Sequence, residues 1–196
     1  MLIDSLGRNL TGIKGTTVVP FPGYTVGQLA DAISCGRVQV AGAQAILIHV
    51  GTNNIPPLRR PAPGQPPLMS IDAVVREFRE LIRTVRQFNP TCPLVMSAIL
   101  PRPVDHLHTW YRVEQINAGL KNFCDPLKQV FFNPTYRFFI KFGRPVEDYY
   151  AQRDKLHLSG SGLLRLQQAF QQALSDANLT KGNHWRRKPS SGPVIL

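Results

Sequence analysis

The sequence predicts an α/β fold: a doubly wound, flavodoxin-like parallel sheet with helices on both faces. Three observations predict it. Short β-branched or apolar runs alternate with amphipathic segments along most of the chain. Residues 45–50 (AILIHV) form a nearly continuous apolar run, the pattern of a parallel strand buried on both faces. A length of 196 residues suits one such domain and is enough to bury a real core.

The elements follow in order. Leu2 and Ile3 are apolar and lead into Asp4-Ser5, so the first strand is very short. Residues 15–21 (GTTVVPF) read as a second strand, and 25–33 (TVGQLADAI) as a helix with Thr25 at its N-cap. The strand at 45–50 comes next. Residues 55–68 hold six prolines and the pair Arg59-Arg60, and read as a loop. Ser70 then caps a helix whose apolar positions Ile71, Val74, Val75, Phe78, Leu81, Ile82 and Val85 keep helical spacing. A strand at 94–100 (LVMSAIL) and a helix through Val113, Ile116, Leu120 and Phe123 follow, with Trp110 and Tyr111 near its start as core or pocket wall. Residues 129–132 (QVFF) make a further strand, and Ser159 caps a last helix carrying Leu163, Leu166, Phe170 and Leu174. Periodicity ends after that helix, which divides the chain into a domain at 1–178 and a flexible basic tail at 179–196.

Composition narrows the function classes. With 43% hydrophobic and 18% charged residues the chain is globular. Cys35, Cys92 and Cys124 are scattered and form no CxxC pair, which argues against a disulfide framework and a zinc site. That usage fits a reducing, cytoplasmic setting, as does a start without a basic segment followed by an apolar one. The longest apolar run is far too short to span a bilayer. No HExxH, P-loop or GxGxxG motif occurs, so neither a metal nor an organic cofactor is expected. The net charge of +11 raises weak, non-specific nucleic-acid binding as a partner class, set against basic residues spread over a solvated surface.

In an open parallel sheet, functional side chains gather at the carboxyl ends of the strands. Asp4-Ser5 lies at one such end; the serine reads as a turn or cap residue, or as a nucleophile if a base reaches it. Gly51-Thr52-Asn53-Asn54 follows the buried strand directly, either as an Asx-bonded turn or as an amide donor to a reacting oxygen. Asp154 and His157 stand three apart just before a capped helix, where a carboxylate can fix an imidazole's tautomer. His49 reads as a structural histidine, and His106 and His108 as loop residues. Tyr149 and Tyr150 are placed to line a pocket.

Taken together, these blocks resemble the SGNH (GDSL-type) hydrolases. The family's Gly-Asp-Ser, Gly, Gly-x-Asn-Asp and Asp-x-x-His blocks correspond to Asp4-Ser5, Gly23, Gly51-Thr52-Asn53-Asn54 and Asp154-Lys155-Leu156-His157, in the same order across residues 3–176. Within the family, the chain resembles the domains encoded beside retroelement reading frames. The resemblance implies an acyl-ester hydrolase acting through an acyl-enzyme on a small ester. In it Ser5 attacks, His157 moves the proton and Asp154 orients His157. The backbone N–H groups of Ser5 and Gly23 and the Asn53 amide would form the oxyanion hole. The chain departs from the pattern at Ile3, where the family has glycine, and at Asn54, where it has aspartate. Only Met1-Leu2-Ile3 precedes Asp4, so the first strand is short or truncated relative to a family strand of about five residues. A competing reading makes the chain a catalytically inactive module of the same fold with non-specific nucleic-acid association.

A chain with +11 net charge and no base-reading motif should bind nucleic acid, where it does, without sequence preference. Filter binding at rising salt is expected to show a steep affinity loss, and removal of residues 181–196 should weaken binding further. Salt-insensitive, sequence-selective binding would contradict this.

Overall fold

A computed structural model describes residues 1–7, 9–11, 13, 15–55 and 69–179, with side chains as far as residue 177. The proline-rich stretch at 56–68 with Arg59-Arg60, and the tail from residue 180, lie outside the described residues.

Five parallel strands form the sheet: β1 (Leu2–Ile3), β2 (Val19–Pro20), β3 (Ile46–His49), β4 (Leu94–Ser97) and β5 (Val130–Asn133), in the order β2-β1-β3-β4-β5. Short as it is, β1 is flanked by neighbours on both sides, with Ile3 beside Pro20 and also beside His49. Its ladder runs past the strand: Val19 N–H donates to Met1 O at 2.8 Å, Phe21 N–H to Ile3 O at 2.7 Å, and Asp4 N–H to His49 O at 2.9 Å. β2 is an edge strand, the place where a proline without an N–H does no harm.

The alternation of β3 sorts the core into two halves. Ile46 and Ile48 face a cluster built on α1 (Val26–Ser34), α2 (Ile71–Phe88) and α3 (His106–Cys124). Leu47 faces the opposite cluster, built on α4 (Gly160–Leu179) through Leu166 and Phe170. Helices therefore cover both faces. α1 starts in a capping box, with Thr25 accepting from Gln28 N–H and the Gln28 side chain returning to Thr25 N–H. Ser70 caps α2, and Ser159 Oγ accepts from Gly162 N–H at the start of α4.

The structure differs from the sequence reading in several elements. The strand expected over 15–21 shrinks to β2, because a turn closes at its start (Thr16 N–H to Ile13 O, 3.2 Å) and Gly15 takes φ +71°. The strand expected over 94–100 is ladder-bonded only as β4, and the chain after it runs on as buried loop. α3 begins at His106, well ahead of its apolar stripe; Leu107 and Tyr111 on its first turns point to solvent, so the helical pattern is missing there. A small hairpin, β6 (Ile140–Lys141) with β7 (Arg144–Pro145), was not foreseen. Its two-residue turn puts Phe142 at φ +51° and Gly143 at φ +73°, geometry usually signalled by Asn-Gly.

None of the described helices is long and apolar enough to cross a membrane. None of the three cysteines is in a disulfide; Cys35 is exposed, and Cys92 and Cys124 are buried. A hydrogen bond from Arg37 lowers the Cys35 thiol, while burial pushes Cys124 up to about 12. Native protein treated with a small alkylating agent at pH 8 should therefore take up one equivalent rapidly, at Cys35, and the other two only after unfolding. Rapid labelling of Cys124, read by peptide mass, would contradict the packing described.

Candidate active site

β1 delivers Asp4-Ser5 to the carboxyl edge of the sheet. Asp4 is fully buried, and its Oδ1 accepts the Leu6 N–H at 3.0 Å. That bond bends the chain out of β1 into a short 3-10 turn, Ser5–Gly7, and leaves Ser5 half-buried at the strand's end. Ile3 is an ordinary extended strand residue, buried and ladder-paired, so the β-branched side chain meets no left-handed backbone there.

Two loops from the neighbouring strands meet beside it. After β2, Pro22-Gly23 makes a tight turn, with Tyr24 N–H donating to Phe21 O at 3.2 Å and Gly23 at φ +80°. After β3, Gly51 sits at φ +120°, and a Cβ there would lie 2.8 Å from Ile99 Cδ1. Asn53 and Asn54 then divide the work. The Asn53 amide donates to Tyr24 O at 2.9 Å, which ties this loop to the Gly23 turn. Asn54 Oδ1 accepts the Val26 N–H at 2.9 Å at the start of α1, and its Nδ2 donates to Glu77 of α2 at 2.7 Å. Glu77 also accepts the Gly27 N–H at 3.0 Å.

The third element is the loop before α4. Asp154 Oδ1 accepts the N–H groups of Leu156 (3.0 Å) and His157 (2.9 Å), and its Oδ2 lies 2.9 Å from His157 Nδ1. A carboxylate only accepts, so this contact needs a proton on Nδ1, and in the neutral ring Nε2 is then the bare nitrogen. Burial alone would raise the Asp154 carboxyl; the hydrogen bonds from the His157 ring and the two backbone N–H groups outweigh it and hold Asp154 well below the usual carboxylate range. Lys155 turns the loop in a left-handed conformation, φ +52°, at a cost of about 1–2 kcal/mol for a residue with a Cβ. It is held there by its Nζ on Glu147 (2.9 Å) and by Val104 N–H on its carbonyl (3.2 Å). Tyr150 OH donates to Pro101 O at 2.6 Å, joining the same loop to the loop after β4.

Of the residues singled out in the sequence, the structure joins Asp154 to His157 and Asn53 to the Gly23 turn, and it sets Ser5 in the turn that leaves β1, the strand between β2 and β3. No hydrogen bond joins Ser5 to His157 among the described residues; such contacts commonly tighten only when substrate binds. His49 is buried with Nδ1 2.9 Å from Ser97 Oγ, as a structural histidine should be. Tyr150 is packed in the core, not against a pocket, and Tyr149 is half-buried with its ring edge on Phe139. His106 and His108 belong to the first turn of α3 and not to a loop; His106 Nε2 meets Gly143 O of the hairpin at 3.3 Å. Trp110 packs on the core, but Tyr111 is exposed.

Two supports were missed. Glu77 stands three residues after Val74 and four before Leu81, so a carboxylate interrupting an apolar stripe was a legible signal. Arg102 and Asp105 form a buried ion pair, and Arg102 Nη1 also donates to Ile55 O, which locks the loop after β4 against the loop after β3. Only their spacing of three was visible in the sequence. Among the described residues no group of three or more His, Cys, Asp or Glu side chains could hold a metal ion.

A model of the GDSL-like lipase/acylhydrolase family matches residues 2–163. Among solved structures, a GDSL-like lipase from Bacteroides thetaiotaomicron is similar over 90% of this chain and 86% of its own, with TM-score 0.70 at 13% identity. A family 3 carbohydrate esterase from Clostridium thermocellum is similar over 84% of this chain and 72% of its own, with TM-score 0.60 at 17% identity. The esterase domain of the zebrafish ZfL2-1 retrotransposon ORF1 protein shares 24% identity over 89% of this chain and 96% of its own, with TM-score 0.49, too low to bear on the subtype. No curated protein matches the sequence. The two likenesses with higher TM-scores are of fold alone; in this chain that fold is a parallel five-stranded α/β sheet with a short first strand.

Asn54 and Glu77 are matched as donor and acceptor, so restoring the family's aspartate should be harmful here. Asn54→Asp would set two carboxylates at hydrogen-bond distance, raising the pKa of one of them in the folded state. A raised carboxyl pKa gives stability that is present at low pH and lost as pH rises. Thermal melts should show a loss of about 1–3 kcal/mol at pH 7, recovered near pH 4.5, and restored at pH 7 by adding Glu77→Gln. A pH-independent loss would refute the pairing.

Proposed function

This chain belongs to the GDSL-like lipase/acylhydrolase family, and on that premise we propose that it hydrolyses a small acyl ester through a Ser5-His157-Asp154 triad. The observation that carries the reading is the Asp154–His157 pair. Its 2.9 Å contact to Nδ1, with two backbone N–H groups on the other carboxylate oxygen, fixes the tautomer that a general base needs.

His157 Nε2 takes the Ser5 hydroxyl proton as Oγ attacks the ester carbonyl. The resulting imidazolium is stabilised by the depressed Asp154 carboxylate. The oxyanion meets the N–H groups of Ser5 and Gly23 and the second Nδ2 hydrogen of Asn53, the first being committed to Tyr24 O. The tetrahedral species collapses, the C–O bond to the alcohol breaks, and His157 gives its proton to the departing oxygen. Water then attacks the Ser5 acyl ester, with His157 taking a proton from the water and returning it to Ser5 Oγ. Binding of Tyr24 O by Asn53 pre-orients the donor, so it costs no reorganisation when charge develops.

Hydrolysis of a short-chain p-nitrophenyl ester should fall by about three or more orders of magnitude in Ser5→Ala and in His157→Ala. Asn53→Ala is expected to cost about 100- to 1000-fold in kcat. A chelator should change nothing. Parent-level turnover in Ser5→Ala would remove Ser5 from the reaction.

A further inference from the structure

A buried polar chain crosses the sheet's α4 face next to the Ser5 turn. By strand register, Ile3 lies beside His49, and Ser97 beside Asn133. His49 Nδ1 meets Ser97 Oγ at 2.9 Å, and Ser97 Oγ meets Thr135 Oγ1 at 2.9 Å. The His49 ring stands edge-on to Phe170 of α4, 5.4 Å between centroids, so it is held from above as well. All three polar residues are at most 1% exposed.

The chain stops at an imidazole nitrogen. His49 Nε2 is buried without a hydrogen-bond partner, and so is Asp4 Oδ2. A buried polar atom left unsatisfied is costly, and here one of the two can donate and the other can only accept. Backbone already brings them to adjacent positions, since Asp4 N–H donates to His49 O at 2.9 Å. The two also feel each other electrostatically. Burial lowers the His49 pKa and the Asp4 charge acts against it; burial prevails, so the ring is neutral and holds a single proton.

We propose that His49 is a positioning residue for the nucleophile turn: its proton sits on Nε2 and is directed to Asp4 Oδ2 across one buried water, while Nδ1 accepts from Ser97. Every donor then has an acceptor. Thr135 O–H donates to Ser97, Ser97 O–H to His49 Nδ1, His49 Nε2–H through the water to Asp4 Oδ2, and Leu6 N–H to Asp4 Oδ1. The opposite tautomer would turn a bare nitrogen lone pair toward a carboxylate. The consequence is that Asp4, which bends the chain through Ser5, is gripped at both oxygens, so Ser5 Oγ is aimed from beneath and not only from the loop above.

The kinetic arm of the test rests on the reaction proposed above; the spectroscopic arm does not. Nitrogen-15 imidazole spectra of the parent protein between pH 6 and 9 should show His49 protonated at Nε2 and bare at Nδ1, with the Nε2 resonance moving in Asp4→Asn. A proton on Nδ1, or an Nε2 resonance indifferent to Asp4→Asn, overturns the proposal whether or not the chain is an esterase. In turnover, His49→Phe should lower kcat about 10- to 100-fold with KM within about twofold, the signature of a misaimed nucleophile. His49→Gln, whose amide can reach the Nε2 position, should recover most of the loss, whereas His49→Asn should not. Equal kcat in the parent and His49→Phe, or equal rescue by Gln and Asn, overturns it. Should His49→Phe fail to fold, the spectra and the Gln–Asn comparison decide.

Discussion

β1 and β3 run side by side with Ile3 opposite His49, and the backbone bond from Asp4 N–H to His49 O extends that pairing one residue past the strand. Strand order reverses here: β2 lies on one side of β1 while β3, β4 and β5 continue on the other. Loops leaving the sheet at such a point diverge and open a crevice above the carboxyl ends. Ser5, Gly23 and Asn53 all lie on loops that leave from this point. A one-residue slip between β1 and β3 would turn Leu2 and Ile3 to the wrong halves of the core and move Ser5 with them.

At that end of the sheet the loops are tied mostly by side-chain-to-backbone bonds. Asn53 binds Tyr24 O, Asn54 binds Val26 N–H, Arg102 binds Ile55 O, Tyr150 binds Pro101 O, and Asp154 binds two N–H groups of its own turn. Loop backbone cannot satisfy itself as a helix does, so each tie removes an orphaned group as well as fixing a position. Arg102 and Asp105 stand out because both are nearly buried. Removing one partner of such a pair costs about 3–5 kcal/mol, since the other charge is left uncompensated.

The departures from the family pattern are absorbed locally. Asn54, in the place of an aspartate, is a donor to the Glu77 carboxylate, where an aspartate would repel it. Ile3, in the place of a glycine, fills a buried, extended position between two strands. Neither change disturbs the 3-10 turn that follows Asp4, because that turn is set by the Asp4 carboxylate on Leu6 N–H.

Much of this was legible in the residues alone. The apolar run of β3, the stripe of α2 and the caps at Thr25, Ser70 and Ser159 are local patterns, and local patterns carry strand, helix and helix-start information directly. The Asp154–His157 contact was legible too, because three residues on a turn suffice to bring the groups together. The hairpin at Phe142-Gly143 was not, since its first turn residue takes a positive φ without the Asn that usually marks such a turn. Nor were the separate roles of Asn53 and Asn54: adjacent and identical, they reach Tyr24 in one direction and Glu77 in the other. The sequence by itself determined an alternating α/β chain with a carboxylate–imidazole pair before its last helix. Only the tertiary structure decided which partners meet His49 and Glu77, because those contacts join residues 23 to 50 positions apart, a separation that no periodicity records.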